Sequence, residues 1–545
     1  MSSISDITSK LWEMANKLRG TMDASEYKNY ILPFMFYRYL SENQAEYLKI
    51  NDLGDFYVLE DEEEIEDYLE DISRGIGYAI NPDYTWNKIV SKIENHKIKA
   101  SDFQDMFDSF NTNAKRNAVA QADFANVFSD VNLGDTRLGT STNERAKALN
   151  DIVLMINEFT FKDDSGHDLL GDVYEYLIGQ FAANAGKKGG EFYTPHEVSQ
   201  VLAKIVTTEP LNGNDQFRVY DPTMGSGSLL LTVQKELPNG EEEGSVEFYG
   251  QELNTTTYNL ARMNLMMHGV NYRNMELKRA DTLDADWPFA EKNGIQSPLT
   301  FDAVVANPPY SQNWDIKTID REKDQRFNGF GVAPASKADY AFVLHGLYHL
   351  AKTGTMAIVL PHGVLFRGGA EGKIRKNIIS ENLLDTVIGL PANLFYGTSI
   401  PTCILVFKGR EARKNKDVLF IDASNDFTKE KNQNKLTKDN INRIIETYCK
   451  RDNIDKYAHV ASLDEIIEND YNLNIPRYVD TFEEEESIPL TQVAEELENV
   501  KTQIDKSQKE LFELMSNLKA GNEKDTAELN AFMGRMSKYY SLLNK

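Results

Sequence analysis

The stretch Phe301-Asp302-Ala303-Val304-Val305-Ala306-Asn307-Pro308-Pro309-Tyr310 decides the fold. Its first six residues are an apolar run of the kind that makes a parallel strand buried on both faces. In an open α/β sheet, residues just past the carboxyl end of such a strand line the ligand crevice. Two successive prolines keep the backbone extended and remove two N–H donors, so the carbonyls of Asn307 and Pro308 are expected to project as acceptors beside the Asn307 amide oxygen. That cage of oxygens suits an exocyclic amino group on a nucleobase. Two acceptors take its hydrogens and leave the nitrogen lone pair free to attack an electrophilic methyl. Tyr310 offers a flat face on which a base stacks. The plainer reading of the same tetrapeptide is a proline-terminated strand turning into a loop.

Upstream, Phe217-Arg218-Val219-Tyr220 reads as a second strand, followed by Asp221-Pro222-Thr223-Met224-Gly225-Ser226-Gly227-Ser228 and the helix start Leu229-Leu230-Leu231. Glycines at a strand-to-helix turn let a ligand approach the backbone closely. With no third glycine and no Lys-Ser/Thr pair behind it, the turn is a poor phosphate cradle. A methionine-derived sulfonium cofactor fits better: Asp221 attracts its amino end, while the turn from Thr223 through Gly225, Ser226, Gly227 and Ser228 packs against its carboxylate and ribose. The next strand, Val246-Glu247-Phe248-Tyr249-Gly250, ends near Glu252, placed to accept from both ribose hydroxyls. A third, Leu277-Lys278-Arg279-Ala280, ends at Asp281, a contact for the cofactor's adenine amino group. For any one of these acids the bland alternative is a helix cap.

Before this series lies Gly189-Gly190-Glu191-Phe192-Tyr193-Thr194-Pro195-His196, leading into an apolar-periodic helix from Val198 to Val206. Thr194 is expected as its N-cap, with Pro195 at the first helical position and Glu197 at the third. An aromatic pair just before a helix amino terminus can wall a cofactor pocket, with exposed N–H groups facing a carboxylate.

Taken in order, Glu191-Phe192-Tyr193-Thr194-Pro195, then Asp221 to Ser228, then Glu252, then Asn307-Pro308-Pro309-Tyr310, the chain resembles the modification subunit of type I restriction-modification systems. The resemblance runs over most of the chain and implies an S-adenosylmethionine-dependent adenine-N6 DNA methyltransferase of the gamma arrangement. By that resemblance Glu191 to His196, Ser226 to Ser228 and Glu252 hold the cofactor, and Asn307, Pro308, Pro309 and Tyr310 handle a flipped adenine. It also implies partners: double-stranded DNA, a separate specificity subunit shared by two such chains, and a restriction subunit.

At 545 residues there is room for two to four domains. A formal charge of −26 is at odds with gripping DNA phosphates, which takes Lys, Arg and backbone N–H groups. A basic recognition surface on a partner resolves the conflict. Cys403 and Cys449 are too few for a disulfide framework or a zinc site, so no metal is expected. No signal peptide or membrane-length apolar run is visible, which gives a soluble, cytoplasmic expectation with no membrane partner.

The fold expected is α/β: an α-helical amino-terminal domain over 1–160, a Rossmann-like S-adenosylmethionine-dependent methyltransferase domain over 161–480, and a helical tail over 481–545 for subunit assembly. Tyr30, Ile31, Phe34, Met35 and Tyr37 fall in one aromatic-rich helix, and the acidic run from Glu60 to Asp67 reads as a solvated helix face. Asn184 to Gly190 reads as a basic hinge. After the cage, Met356 to Leu360, Leu384 to Leu390, Thr402 to Phe407 and Val418 to Ile421 continue a doubly wound sheet. The basic loop Lys408 to Lys416 suits solvent or a DNA backbone. The insert Ser311 to Ser336 is long enough to be either a lid over the flipped base or disordered. In the tail, Val493, Leu497, Val500, Ile504, Leu511, Leu514 and Leu518 step by four and three, a coiled-coil seam for a partner helix or a helix packed on its own domain. Cytosine-N4 methylation uses the same amino chemistry. A glutamine-N5 protein methylase also carries Asn-Pro-Pro-Tyr, but is shorter and lacks the Phe-Tyr-Thr-Pro element. A cofactor-binding scaffold for a nuclease is the non-enzymatic alternative.

Overall fold

The computed structural model describes residues 24–159, 170–184, 194–208, 216–284, 287–292, 295–316, 324–395, 398–430, 433–481 and 489–543. Residues 1–481 form one compact unit and 482–545 a second.

The strands in chain order are β1 Phe217–Asp221, β2 Val246–Glu252, β3 Met275–Arg279, the hairpin β4 Phe289–Lys292 with β5 Ile295–Pro298, β6 Phe301–Ala306, β7 Leu350–Pro361, β8 Leu384–Gly389, β9 Thr402–Lys408, β10 Val418–Asp422, the ribbon β11 Thr428–Lys429 with β12 Asn434–Lys435, and β13 Ala458–Ala461. Nine of them make one sheet in the order β13-β10-β8-β9-β7-β6-β1-β2-β3. From β3 to β7 every pairing is parallel; β9 runs antiparallel to both β7 and β8, and β13 antiparallel to β10.

Both faces of the sheet are covered, as the continuous apolar runs require. Val219, Val305, Ala357 and Val359 point into a core shared with the amino-terminal helices, whereas Tyr220, Val304, Met356 and Ile358 point into a second core on the opposite face. Because β1 is flanked by β2 on one side and β6 on the other, the chain leaves it in opposite directions. A crevice therefore opens past the carboxyl ends of β1 and β6, where such sheets bind ligands.

The amino-terminal helices begin with Ala24–Ile50, in which Tyr30 to Tyr37 are buried almost without interruption around Pro33. The acidic run is a helix start: Asp61 caps the helix Glu62–Ile76 by accepting from the N–H groups of Glu63 and Glu64 at 3.0 and 3.1 Å. Its residues are largely solvent-facing. These helices are joined to the sheet by buried polar bonds. Arg262, on the helix Thr255–Met267 beside β2 and β3, donates to the carbonyls of Ala122, Asp123 and Ala125, and the Tyr39 hydroxyl donates to the carbonyl of Met266 at 2.8 Å.

In the second unit, helices Leu490–Ser516 and Glu523–Leu543 meet through the stacked rings of Phe512 and Tyr540, 5.2 Å apart.

Candidate active site

The end of β1 turns sharply into the helix Ser228–Glu236. Gly225 at φ +54° and Gly227 at φ +77° occupy the left-handed region that favours glycine. A Cβ on Gly227 would lie 2.5 Å from Leu265 Cδ1, so the helix after β2 presses directly on the turn. The turn is stitched to β2 from both sides: the Met224 N–H donates to the carbonyl of Gln251 at 2.9 Å, and the Gly225 N–H to Glu252 Oε2 at 3.2 Å. Glu252 Oε1 accepts from the Asn254 N–H at 2.8 Å, and Asp221 Oδ1 from the Thr223 N–H at 2.9 Å. The hydroxyls of Ser226 and Ser228 lie 3.1 Å apart, and Asn264 Nδ2 donates to the Ser226 carbonyl at 2.9 Å.

Asp221 and Glu252 are buried side by side at the ends of neighbouring strands. Burial pushes the Asp221 carboxyl up to about 7, with the charge of Glu252 adding to the effect, and burial also raises Glu252. Among the described residues neither acid has a cationic partner within ion-pair distance. Two buried acids beside a glycine-containing turn suit a cationic ligand with hydroxyls, because the carboxylate oxygens keep lone pairs beyond those already used.

Past β6, the Asn307 side chain is held at both ends. Its Nδ2 donates to Thr194 Oγ1 at 3.0 Å, and its Oδ1 accepts from the Tyr310 hydroxyl at 2.8 Å. Tyr310 packs edge-on against Phe395, with ring centroids 6.1 Å apart, and burial holds its hydroxyl well above the ordinary phenol range. The tyrosine thus orients the acceptor oxygen as well as offering a ring face. Ser311 follows at φ +51°, pinned by its N–H to Asp339 Oδ1 at 2.7 Å; Asp339 is fully buried and paired with Arg367 at 2.9 Å. The tetrad is anchored on its far side by a buried ion pair.

Residues 165–487 match the family model for N-6 DNA methylases, and residues 7–156 match the HsdM N-terminal domain. The chain belongs to the N-6 DNA methylase family. It is similar to the type I restriction enzyme MpnII methylase subunit of Mycoplasma pneumoniae, 38% identical over 502 residues that cover 89% of this chain and 91% of the relative. It is also similar to the MjaVIII methylase subunit of Methanocaldococcus jannaschii, 32% identical over 86% of this chain and 77% of that one. A solved type I methyltransferase subunit from Streptococcus thermophilus superposes with a TM-score of 0.77 at 44% identity, covering 88% of this chain and all of that chain. The protein is therefore an adenine-N6 DNA methyltransferase of the type I methylase-subunit kind, and neither the cytosine-N4 nor the scaffold reading is favoured.

In this methylase the fold brings Asp221, Thr223, Gly225, Ser226, Gly227, Ser228, Glu252 and Asn307 to Tyr310 to the carboxyl ends of three neighbouring strands, and Thr194, just before the helix His196–Val206, joins them through Asn307. Glu191, Phe192 and Tyr193 lie outside the described residues. Thr194 is not the helix N-cap. Pro195 holds that position without a side-chain bond, the helix runs His196–Val206, and the threonine hydroxyl is given to Asn307 instead. His196 is exposed on the first turn. Asp281 is also exposed, and its carboxylate accepts from the Leu283 N–H at 2.9 Å, a local turn bond.

One buried group in this methylase has no sequence signal at all. Arg326 NH1 donates to His345 Nδ1 at 3.1 Å and to the carbonyl of Thr282 at 2.8 Å. With Nδ1 accepting, His345 Nε2 carries the hydrogen and donates to the Tyr220 hydroxyl at 2.7 Å, which in turn donates to Gln251 Oε1 at 2.6 Å. Burial and the arginine charge hold His345 well below the ordinary imidazole range, so it stays neutral and the direction of the relay is fixed. Tyr220 and Gln251 directly precede the buried acids Asp221 and Glu252.

Two further expectations change with the structure. The described parts of the 311–336 insert are folded onto the body: Trp314 is bonded to the carbonyls of Ala335 and Pro334 at 2.9 Å, and Arg326 is buried. Arg321 and Lys323 fall outside the described residues, as do Lys187 and Lys188 of the expected hinge. In the basic loop, Arg413 is internal, paired with buried Asp385 at 2.9 Å, and Arg410 pairs with Glu381 at 2.6 Å. Breaking such a buried pair costs about 3–5 kcal/mol. Arg413 is therefore structural, and Lys408 lies over the Tyr448 ring, 5.6 Å from its centroid. The tail seam is solvent-facing, with Leu497 at 64% and Leu514 at 68% exposure.

Proposed function

We propose that the chain transfers the methyl of S-adenosylmethionine to N6 of an adenine swung out of double-stranded DNA, as the modification subunit of a type I complex. Bound S-adenosylmethionine supplies an electrophilic methyl on a sulfonium centre. Asp221 and Glu252 would hold its cationic and ribose ends. Glu191 to His196 would wall the pocket, Thr223 to Ser228 would back it, and Asp281 would meet its adenine. The Asn307 oxygen and the Asn307 and Pro308 carbonyls would take the N6 hydrogens, Pro309 would keep the strand extended, and Tyr310 would stack on the extruded base. Swinging a base out costs a few kcal/mol, and positioned acceptors rather than a strong general base carry the step.

The observation that carries this reading is the Asn307 amide, clamped between Thr194 of the cofactor segment and Tyr310, at the switch point of the sheet. The lid role of the 311–336 insert stands on its connection to the same site. The charge of −26 and the exposed seam support a docked basic specificity subunit, with two methylase chains on each and a restriction subunit completing the complex in the cytoplasm. No helix among the described residues is long and apolar enough to cross a membrane. The test is methylation of DNA by the purified chain with and without the specificity subunit, with modified bases mapped. Poor transfer alone and N6-methyladenine at defined sites with the partner are expected. Tight, site-specific methylation by the isolated chain at physiological salt would overturn the division of labour.

A further inference from the structure

Away from the crevice, three helices converge on one imidazole. His268 follows the helix Thr255–Met267, its side chain only 9% exposed. Its Nδ1 lies 2.9 Å from the carbonyl of Asn264. A carbonyl only accepts, so Nδ1 carries the hydrogen and the lone pair of the neutral ring sits on Nε2. That Nε2 is buried and has no hydrogen-bond partner. It points at two acids of the helix Leu170–Asn184, lying 3.9 Å from Asp172 Oδ1 and 3.6 Å from Glu175 Oε2. The three ligand atoms fall within 4.8 Å of one another.

Three acceptors converging with no donor for the middle one is unfavourable unless something electron-poor sits between them. Lys235, on the helix Ser228–Glu236, approaches the two acids at 3.4 and 3.6 Å. Its side chain is 44% exposed and leaves Nε2 unsatisfied. A divalent transition ion satisfies all three atoms at once. The separations of 3.9 and 3.6 Å from Nε2 to the two acids fall within the span of two ligands each about 2.0–2.2 Å from a shared ion, and one imidazole with two carboxylates suits zinc, cobalt or manganese. The Nδ1–H bond to a backbone carbonyl is the outer-sphere contact by which metal-bound histidines are oriented.

We propose that Asp172, Glu175 and His268 form a binding site for a divalent transition ion of the zinc class, with Lys235 as the displaceable counter-charge. The ion ties the helix that leads toward the Glu191–His196 segment to the helix behind β2. Its role is to brace the cofactor side of the sheet, since none of its ligands belongs to the crevice. It replaces the expectation of no metal, which rested on cysteine alone.

The test uses the untagged full-length chain, stripped with chelator and titrated with Co²⁺ and with Zn²⁺. The readouts are the visible absorption of bound Co²⁺, the stoichiometry, and Tm. One equivalent per chain and a rise in Tm are expected. Asp172→Asn, on a partly exposed side chain, and His268→Asn should each abolish the Co²⁺ spectrum and the Tm gain. Lys235→Met, which removes the competing ammonium, should tighten binding. Equal binding by the wild type and His268→Asn would overturn the proposal, as would absence of binding in both the wild type and Lys235→Met.

Discussion

The carboxyl edge of the sheet and the tail helix Leu490–Ser516 are both patterned in regularly spaced apolar residues, and they end in opposite states. Around β6, Val304 and Val305 fill cores on the two faces and are completely buried, so the loop that follows is held rigidly and carries polar groups in fixed directions. Along the tail, Leu497, Val500, Ile504, Leu511, Leu514 and Leu518 remain half or more exposed. Full burial of each such side chain is worth about 1.5–3 kcal/mol. The first region has spent its apolar surface within its own unit, and the second keeps it available. Chemistry is placed where burial is complete, and assembly where it is unfinished.

Breaking the closed region should have the largest effect. Asn307→Ala removes the acceptor that Tyr310 and Thr194 hold in place, and labelled-methyl transfer to adenine should fall by roughly 10²–10³-fold, the scale seen when an active-site hydrogen-bonding group is deleted. Assembly should be untouched. Near-normal transfer would remove the cage from the mechanism. On the open side, Leu511→Asp with Leu514→Asp places two charges in the seam, where they are costly unless paired. Co-purification with the specificity subunit should be lost while the Tm of the 1–481 unit is kept. Unchanged co-purification would show that the seam is not an assembly surface and that the contrast between the regions is misdrawn.

Two smaller effects sharpen the account of the closed region. Glu252→Gln keeps the shape but replaces a charged acceptor; calorimetry should show cofactor affinity reduced by about tenfold or more, from hydrogen bonds to charged groups worth about 1.5–3 kcal/mol. A larger change in kcat than in affinity would place Glu252 in the transfer step instead. The smallest effect is a slope. Because the Asp221 pKa is raised to about 7 in the native protein, its contribution to stability is fully present below the ordinary carboxylate value near 4 and is lost as pH rises through about 7. The cofactor-free protein should therefore lose Tm between about pH 4 and 7 through this group, and Asp221→Asn should flatten that part of the profile. Parallel profiles for the two proteins would mean that Asp221 ionises as an ordinary surface acid.

Strands β1, β2, β6, β8, β9, β10 and the second half of β7 were legible as short apolar runs bounded by turn residues, and β3 from its place in the alternation, whereas the hairpin of β4 and β5 carried no such signal. The antiparallel insertion of β9 between β7 and β8 was not, since a strand buried on both faces reads the same in either direction. Thr194 before a proline reads locally as a cap, and its partner Asn307 lies 113 residues away. Arg413 in a run of basic residues resembles a surface charge, and only the fold reveals Asp385 beneath it. Local rules found the elements, while long-range polar pairing decided which side chains were free for function.

Arg326 gives the insert after the Asn-Pro-Pro-Tyr tetrad a mechanical character. Its guanidinium is gripped by Asp324 at 2.7 Å, rests on the carbonyl of Thr282 past β3, and connects through His345 and Tyr220 to Gln251 in β2. Thr282 Oγ1 in turn donates to the carbonyl of Pro222 in the glycine turn at 2.5 Å. The segment is thus a strut braced by hydrogen bonds against β2 and against the loops past β1 and β3. A displacement of Arg326 would therefore be felt at β2 and at the loops past β1 and β3 together.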